Sequence, residues 1–214
     1  MDLFVDHGLM ECGGGWGHIS WAAARKAKYA GGECGDGYVL VNWGGNVLVF
    51  LADGAGSGKE AAAPMGACLR CAADLADREL PTIFENCHRE LIGTRGAALA
   101  ALCLDPERSL LTWAAIGDVD GIVAAAESAE DVVKYSIVRR GGTLGISYAN
   151  PVVQKIHISR NDTIILASDG VSRKFSRIVR PNLNAEDLAR SIISKYGNQK
   201  DDSSTVVIKI GANR

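Results

Sequence analysis

Two runs of the chain, Val47–Ala52 (VLVFLA) and Thr163–Ser168 (TIILAS), are apolar almost throughout, and each stops beside an aspartate followed by glycine. A strand that keeps one face in water alternates apolar and polar residues; a strand without that alternation needs cover on both faces. Such cover arises when sheets stack and helices close the outside. The two runs therefore argue for an α+β sandwich, in which stacked antiparallel sheets are flanked by helices.

The remaining segments fit that plan. A strand is expected from His18 to Lys28, and Tyr38–Asn42 pairs with Val47–Ala52 across Trp43-Gly44-Gly45-Asn46, which carries the glycines of a hairpin. Two helices follow. In the first, Met65, Cys68, Leu69, Ala72 and Leu75 form one stripe, with Pro64 either starting or disturbing the helix. In the second, Pro81 suits a first turn, and Ile83, Phe84, Cys87 and Leu91 share a face. Ala97–Leu104, Ser109–Ile116 and Val119–Ala126 read as a meander that Val152–Ile158 and Thr163–Ser168 continue. Asn184 caps a third helix carrying Glu186 and Asp187 in its first turn and ending at Gly197. Thr205–Ile210 is a closing strand. This order is α+β rather than a repeating βαβ one. Residues 1–17, with Gly13-Gly14-Gly15 and no clear period, read as an irregular extension, and residues 18–214 as a single domain.

Composition narrows the function. With 23 basic and 25 acidic residues the formal charge is -2, so nothing draws the chain globally to nucleic acid or an anionic membrane. No stretch approaches the ~20 consecutive apolar residues of a membrane span, and the first residues lack a secretion signal's basic start and apolar run. A cytoplasmic monomer is expected. The six cysteines read as core thiols rather than a disulfide framework. Cys68 and Cys71 have CxxC spacing, but no second CxxC exists and both fall in the apolar stripe of a helix.

The chemistry-bearing residues are aspartates. Leu51-Ala52-Asp53-Gly54 and Ala167-Ser168-Asp169-Gly170 each place a carboxylate where a rigid strand stops, with Asp36 in Gly35-Asp36-Gly37 and Asp201-Asp202 ahead of the last strand. Singly, Asp-Gly is a turn dipeptide, as read for Asp120-Gly121. Taken together, strand-end carboxylates without partnering histidine or cysteine suit hard cations, Mg²⁺ or Mn²⁺. The loop from Gly54 to Glu60 superficially resembles a P-loop, GxxxxGK[ST]. Asp53 stands where its first glycine should be, however, and Glu60 where its hydroxyl residue should be. His7, His18, His88 and His157 lie in none of these motifs.

The motifs GGECGDGY (31–38), FLADGAGSGKEAA (50–62), ILASDGVS (165–172) and KDDSSTVVIKI (200–210), in that order, resemble those of the PPM metal-dependent protein serine/threonine phosphatases. Within that family they are similar to the bacterial SpoIIE-like branch and its RsbX-type stressosome phosphatases. The resemblance implies the same αββα sandwich with two Mn²⁺ or Mg²⁺ ions in a cleft. It implies that Asp53 bridges both ions beside the Gly54 carbonyl, that Asp169 and one of Asp201 or Asp202 hold the other, and that Asp36 contributes nearby. Counting back from the strand end favours Asp201, and counting from Thr205 favours Asp202. Asp118, in IGDVDG, stands where some relatives carry an aspartate near a third metal, and equally suits a turn. By the same resemblance, a hydroxide held by the metals hydrolyses phosphoserine or phosphothreonine on a partner protein such as a stressosome scaffold. The competing readings are a PPM-fold binding module without catalysis and a P-loop-like nucleotide hydrolase.

Overall fold

The computed structural model describes residues 3–125, 133–180 and 183–211. Strands β1 (Leu3–Cys12), β2 (Gly17–Lys26), β3 (Asp36–Trp43) and β4 (Asn46–Gly54) lead into helices α1 (Lys59–Asp74) and α2 (Leu80–Glu90). Then come β5 (Ala97–Asp105), β6 (Leu110–Ile116), β7 (Asp120–Ala124), β8 (Val133–Ser136), and the short β9 (Arg139–Arg140), β10 (Gly142–Thr143) and β11 (Ser147–Tyr148). The chain closes with β12 (Gln154–His157), β13 (Thr163–Ala167), a 3-10 turn at Arg173–Ile178, α3 (Ala185–Tyr196) and β14 (Ser203–Ile210).

One sheet has the order β1-β2-β14-β13-β7-β8, and the other β12-β6-β5-β4-β3, with β9 beside β6. Neighbours are antiparallel except β6 and β9, which run parallel. The burial of β4 follows the two-residue period of a strand. Val47, Val49 and Leu51 enter the layer between the sheets with Ile164, Leu166, Val206 and Ile208 from the facing sheet. Leu48, Phe50 and Ala52 point the other way, onto Cys68, Leu69, Ile83 and Phe84 of α1 and α2. On the far side Ile165, Ala167 and Val207 meet Leu188, Ile192 and Ile193 of α3. The result is a four-layer αββα sandwich, with the two unbroken apolar runs covered on both faces as expected.

Local signals account for most element ends. The Asn184 side chain accepts the Asp187 amide at 2.7 Å, capping α3. Gly44 and Gly45, with φ of 58° and 86°, join β3 to β4 as the left-handed pair that matches strand twist. Helix α1 begins at Lys59, so Pro64 lies inside it and removes the bond that its missing amide would make to the preceding turn. Cys68 and Cys87 are buried under the second sheet, where the Cys87 thiol contacts the Cys68 carbonyl at 3.6 Å. Burial pushes the Cys71 thiol up to about 12, and both cysteines of the CxxC pair are free and pack in the helical layer.

Three expectations are corrected. Residues 3–12 are no irregular extension: β1 pairs with β2 along its whole length, from Leu3 opposite Lys26 to Cys12 opposite Gly17. Leu3 and Val5 lean on the α3 layer, whereas Met10 and Cys12, of opposite parity, lean on the inter-sheet core. The apolar phase thus changes along the strand, which erases any period in its sequence. Second, the meander does not stay in one sheet. Strand β6 belongs with β5, but β7 pairs with β13 in the other sheet, so the chain crosses between sheets at Gly117–Val119. Third, Asp120-Gly121 is not a turn; both residues lie in β7, opposite Ala167 and Leu166. Ala126, the expected end of that strand, lies outside the described residues, as do residues 1–2 and 212–214.

Ile164 is fully buried between the sheets, while Leu9 on β1 is 56% exposed. Equilibrium urea unfolding should show Ile164→Ala losing ~2–5 kcal/mol of stability, and Leu9→Ser changing it by no more than about 0.5 kcal/mol.

Candidate metal centre

The strands end in register at one edge of the sandwich. Asp36 and Asp53 are direct cross-strand partners on β3 and β4, an arrangement of like charges that is unfavourable unless something compensates it. Asp169 follows β13 in the opposing sheet, and Asp201 precedes β14. Asp53, Asp169, Asp201 and Asp118 line a cleft of about 170 Å³ between the sheet edges, with Gly56 and Thr143 on its walls. Asp118 reaches it from the crossover between β6 and β7.

The glycines of these motifs serve close approach rather than turning. A Cβ on Gly54 would lie 2.0 Å from the Ala61 carbonyl oxygen of α1, and one on Gly170 would lie 1.8 Å from the Asp202 carbonyl oxygen. Helix α1 is therefore seated directly on the end of β4, and the 169–170 loop directly on the start of β14. Each glycine lets a neighbouring backbone pack against the chain directly after the aspartate.

The two adjacent aspartates before β14 separate cleanly. Asp202 is buried, and both of its carboxylate oxygens accept backbone amides, Lys28 at 2.8 Å and Gly35 at 2.8 Å. It ties the loop ahead of β3 to β14 and does not line the cleft, whereas Asp201 does. Asp36 is also buried beneath the cleft and accepts the Ser168 hydroxyl at 2.6 Å. Ser168 in turn accepts the Ser204 amide at 2.9 Å, so one hydroxyl links Asp36 to both β13 and β14. Sequence reasoning passed over Ser168; its place directly before Asp169 was the available signal. None of the four histidines lines the cleft. His88 is occupied elsewhere, accepting the Gly145 amide at 3.0 Å.

Electrostatics show what the cleft lacks. Burial, then the charges of Asp36, Asp169 and Asp201, push Asp53 up to about 9. Burial pushes Asp36 up to about 7 against the pull of the Ser168 hydroxyl. Burial and the Asp201 charge raise Asp169 as well. Asp53 and Asp169 each shift the titration of the other across the cleft, so neither carboxyl is independent. Among the described residues no lysine or arginine pairs with Asp53, Asp169 or Asp201; the nearest pairing is Arg139 with Asp118 at 3.3 Å. Carboxylates crowded this way call for a cation, and an all-oxygen set suits Mg²⁺ or Mn²⁺. No three acidic, histidine or cysteine side chains close into a coordination shell among the described residues. A cation held here would keep several waters, as Mg²⁺ characteristically does.

Comparison with known proteins places the chain in a family and a fold. Residues 44–211 match the family model of Stage II sporulation protein E (SpoIIE). Phosphoserine phosphatase RsbX of Bacillus subtilis (strain 168) is 22% identical over 194 residues, covering 89% of this chain and 94% of its own. The crystal structure of RsbX in complex with magnesium superposes with a TM-score of 0.80 at 19% identity, covering 96% of this chain and 100% of that one. A chain from structural work on the bacterial stressosome, a modular system adapted to control secondary messenger signalling, gives a TM-score of 0.80 at 26% identity, covering 89% of this chain and 99% of its own.

The raised Asp53 carboxyl has a measurable consequence without metal. A carboxyl held above its ordinary 3.8 favours the native state below that value and progressively loses that advantage as pH rises towards about 9. In chelator, Asp53→Asn should therefore gain stability relative to wild type from about pH 4 to about pH 9, read as a growing difference in urea midpoint. A difference that stays constant with pH would place Asp53 in an ordinary solvated environment.

Proposed function

The chain belongs to the Stage II sporulation protein E (SpoIIE) family, and from that premise we propose that it is a Mn²⁺- or Mg²⁺-dependent protein phosphatase acting on phosphoserine or phosphothreonine. The observation that carries this reading is the cleft itself, where Asp53 from one sheet meets Asp169 and Asp201 from the other with no basic side chain between them. An RsbX relative named for phosphoserine hydrolysis supports the substrate class. Proteins of the stressosome scaffold kind are the proposed substrates, in line with a structural relative from that assembly.

In this reading Asp53, Asp169 and Asp201 would hold two divalent cations, with the Gly54 carbonyl beside Asp53. Such ions, when bound, neutralise phosphoryl oxygens and lower the pKa of water for in-line attack on phosphorus. The protein's own part is positional. Asp53 sits at the end of the β3–β4 ladder, braced by α1, so its carboxylate is held to the tolerance that catalysis needs. Asp36 and Ser168 fix the strand ends from below, and Asp202 locks the loop preceding β3. Asp53 and Asp169 are both raised by burial and must lose their protons to take cations, so binding should release protons and tighten as pH rises. Asp118, 77% exposed and paired with Arg139, stands at the rim, where a third ion would have to compete with that arginine.

The glycine-rich loop does not favour a nucleotide hydrolase. Gly56 faces the acidic cleft, a setting that repels a polyphosphate in the absence of bound cations.

Purified protein should release phosphate from p-nitrophenyl phosphate and from a phosphoserine peptide only when Mn²⁺ or Mg²⁺ is added. Asp53→Asn should lower the rate at least ~100-fold, the scale of losing an electrostatic stabiliser at a reacting centre. Equal rates for the two proteins would contradict the assignment. Mn²⁺ at about 100 times its dissociation constant should also add ~2.7 kcal/mol of stability to wild type.

A further inference from the structure

The wall of the cleft that carries Asp118 has a second side. Arg139 reaches Asp118 at 3.3 Å and Asp120 at 3.7 Å, and Arg173 Nε donates to Asp120 at 2.7 Å. Behind this ridge lies a cavity of about 380 Å³ lined by Arg139, Arg173, Asp120, Ile122, Ile137 and Phe175, among others. Ile122 and Ile137 are 8% exposed and Phe175 2%, so its floor is apolar and its mouth charged. A single ion-paired ridge thus divides the carboxylate cleft from a half-open pocket large enough for one or two side chains.

The unused donors of that mouth indicate what it would take. Arg139 is shared between Asp118, on the cleft side, and Asp120, while Arg173 meets Asp120 alone. The contacts of Arg139 are longer than the 2.7–2.9 Å of good charge-assisted hydrogen bonds. Arg173 uses only Nε, leaving its two terminal nitrogens without a hydrogen bond among the described residues. The charges of the ridge balance, and the donors left over are the terminal nitrogens of Arg173. A planar fork of this kind is matched by a carboxylate, which it can hold through two parallel bonds.

We propose that this pocket is a specificity subsite for the segment flanking the phosphoserine, and that it receives an acidic side chain. The carboxylate meets Arg173 and Arg139, and the methylene stem lies over Ile137 and Phe175. This assignment rests on the phosphatase reading of the adjacent cleft. It gives the enzyme a positive grip on peptide substrates beside a cleft whose own walls are acidic.

The test uses two phosphoserine peptides, identical but for glutamate or lysine at the flanking positions, with p-nitrophenyl phosphate as a substrate that has no flank. Wild type should prefer the glutamate peptide through KM rather than kcat, on the order of fivefold, the scale of one or two exposed charge pairs. The preference should shrink as KCl is raised. In Arg173→Glu the ratio of kcat/KM for the glutamate peptide to that for p-nitrophenyl phosphate should fall by a similar factor, and the lysine peptide should become the better one. Arg173→Gln should abolish the preference without reversing it. Equal use of both peptides by wild type, or a preference that survives Arg173→Glu, would overturn the proposal. If wild type hydrolyses none of the three with Mn²⁺, the phosphatase reading fails. Fluorescence anisotropy of labelled versions of the peptides still decides the subsite: tighter binding of the glutamate peptide, lost in Arg173→Glu, supports it, and equal binding contradicts it.

Discussion

Burial of β4 against β13 through the layer between the sheets sets the relation of Asp53 to Asp169. Leu51 and Leu166, a few residues before those aspartates, are fully buried in the same core. Close-packed interiors transmit small displacements rather than absorbing them, so the two carboxylates cannot drift apart without opening that core. The helices reinforce this from outside. Because α1 rests on Gly54 with no room for a Cβ, the end of β4 is held from the helical layer as well as from the core. The proposed chemistry thus depends on a distance that hydrophobic burial maintains.

Against this rigid frame stands a group of charges that the protein does not neutralise. Asp36 and Asp53 face each other across a ladder, and Asp169 and Asp201 approach from the other sheet. Crowded carboxylates are an energetic cost, one that protonation only partly relieves. Strain of this sort concentrated at one strand edge is characteristic of functional sites, where local rules are broken and the rest of the fold compensates. Asp202 illustrates the alternative fate. One residue away from Asp201, it has both oxygens satisfied by backbone amides and acts as a structural clamp.

The layers were legible because their signal is simple. Val47–Ala52 and Thr163–Ser168 had to be covered on both faces, and the Asn184 cap and the Gly44-Gly45 turn follow from local chemistry. Strand β1 was not legible, since Leu3 and Val5 serve one layer and Met10 and Cys12 another. The crossing from β6 to β7 was equally hidden: three successive strands with short connections look like a meander whichever sheet each one joins. For the site, the residue types and order pointed to Asp53 and Asp169. That Asp201 faces the cleft while Asp202 is bound to backbone amides is visible only in three dimensions, because adjacent residues before a strand point to opposite sides. The Arg139 and Arg173 ridge carries no motif and is assembled only by the fold.

The central claim, that strand ends from two sheets form one cation site, is tested most directly by a crystal structure of the protein grown with Mn²⁺ and measured at the manganese absorption edge. The account predicts anomalous density in the cleft, in contact with Asp53, Asp169 and Asp201, and none at the Asp202 carboxylate. Anomalous density absent from the cleft, or centred on Asp202 and away from Asp53, would contradict it.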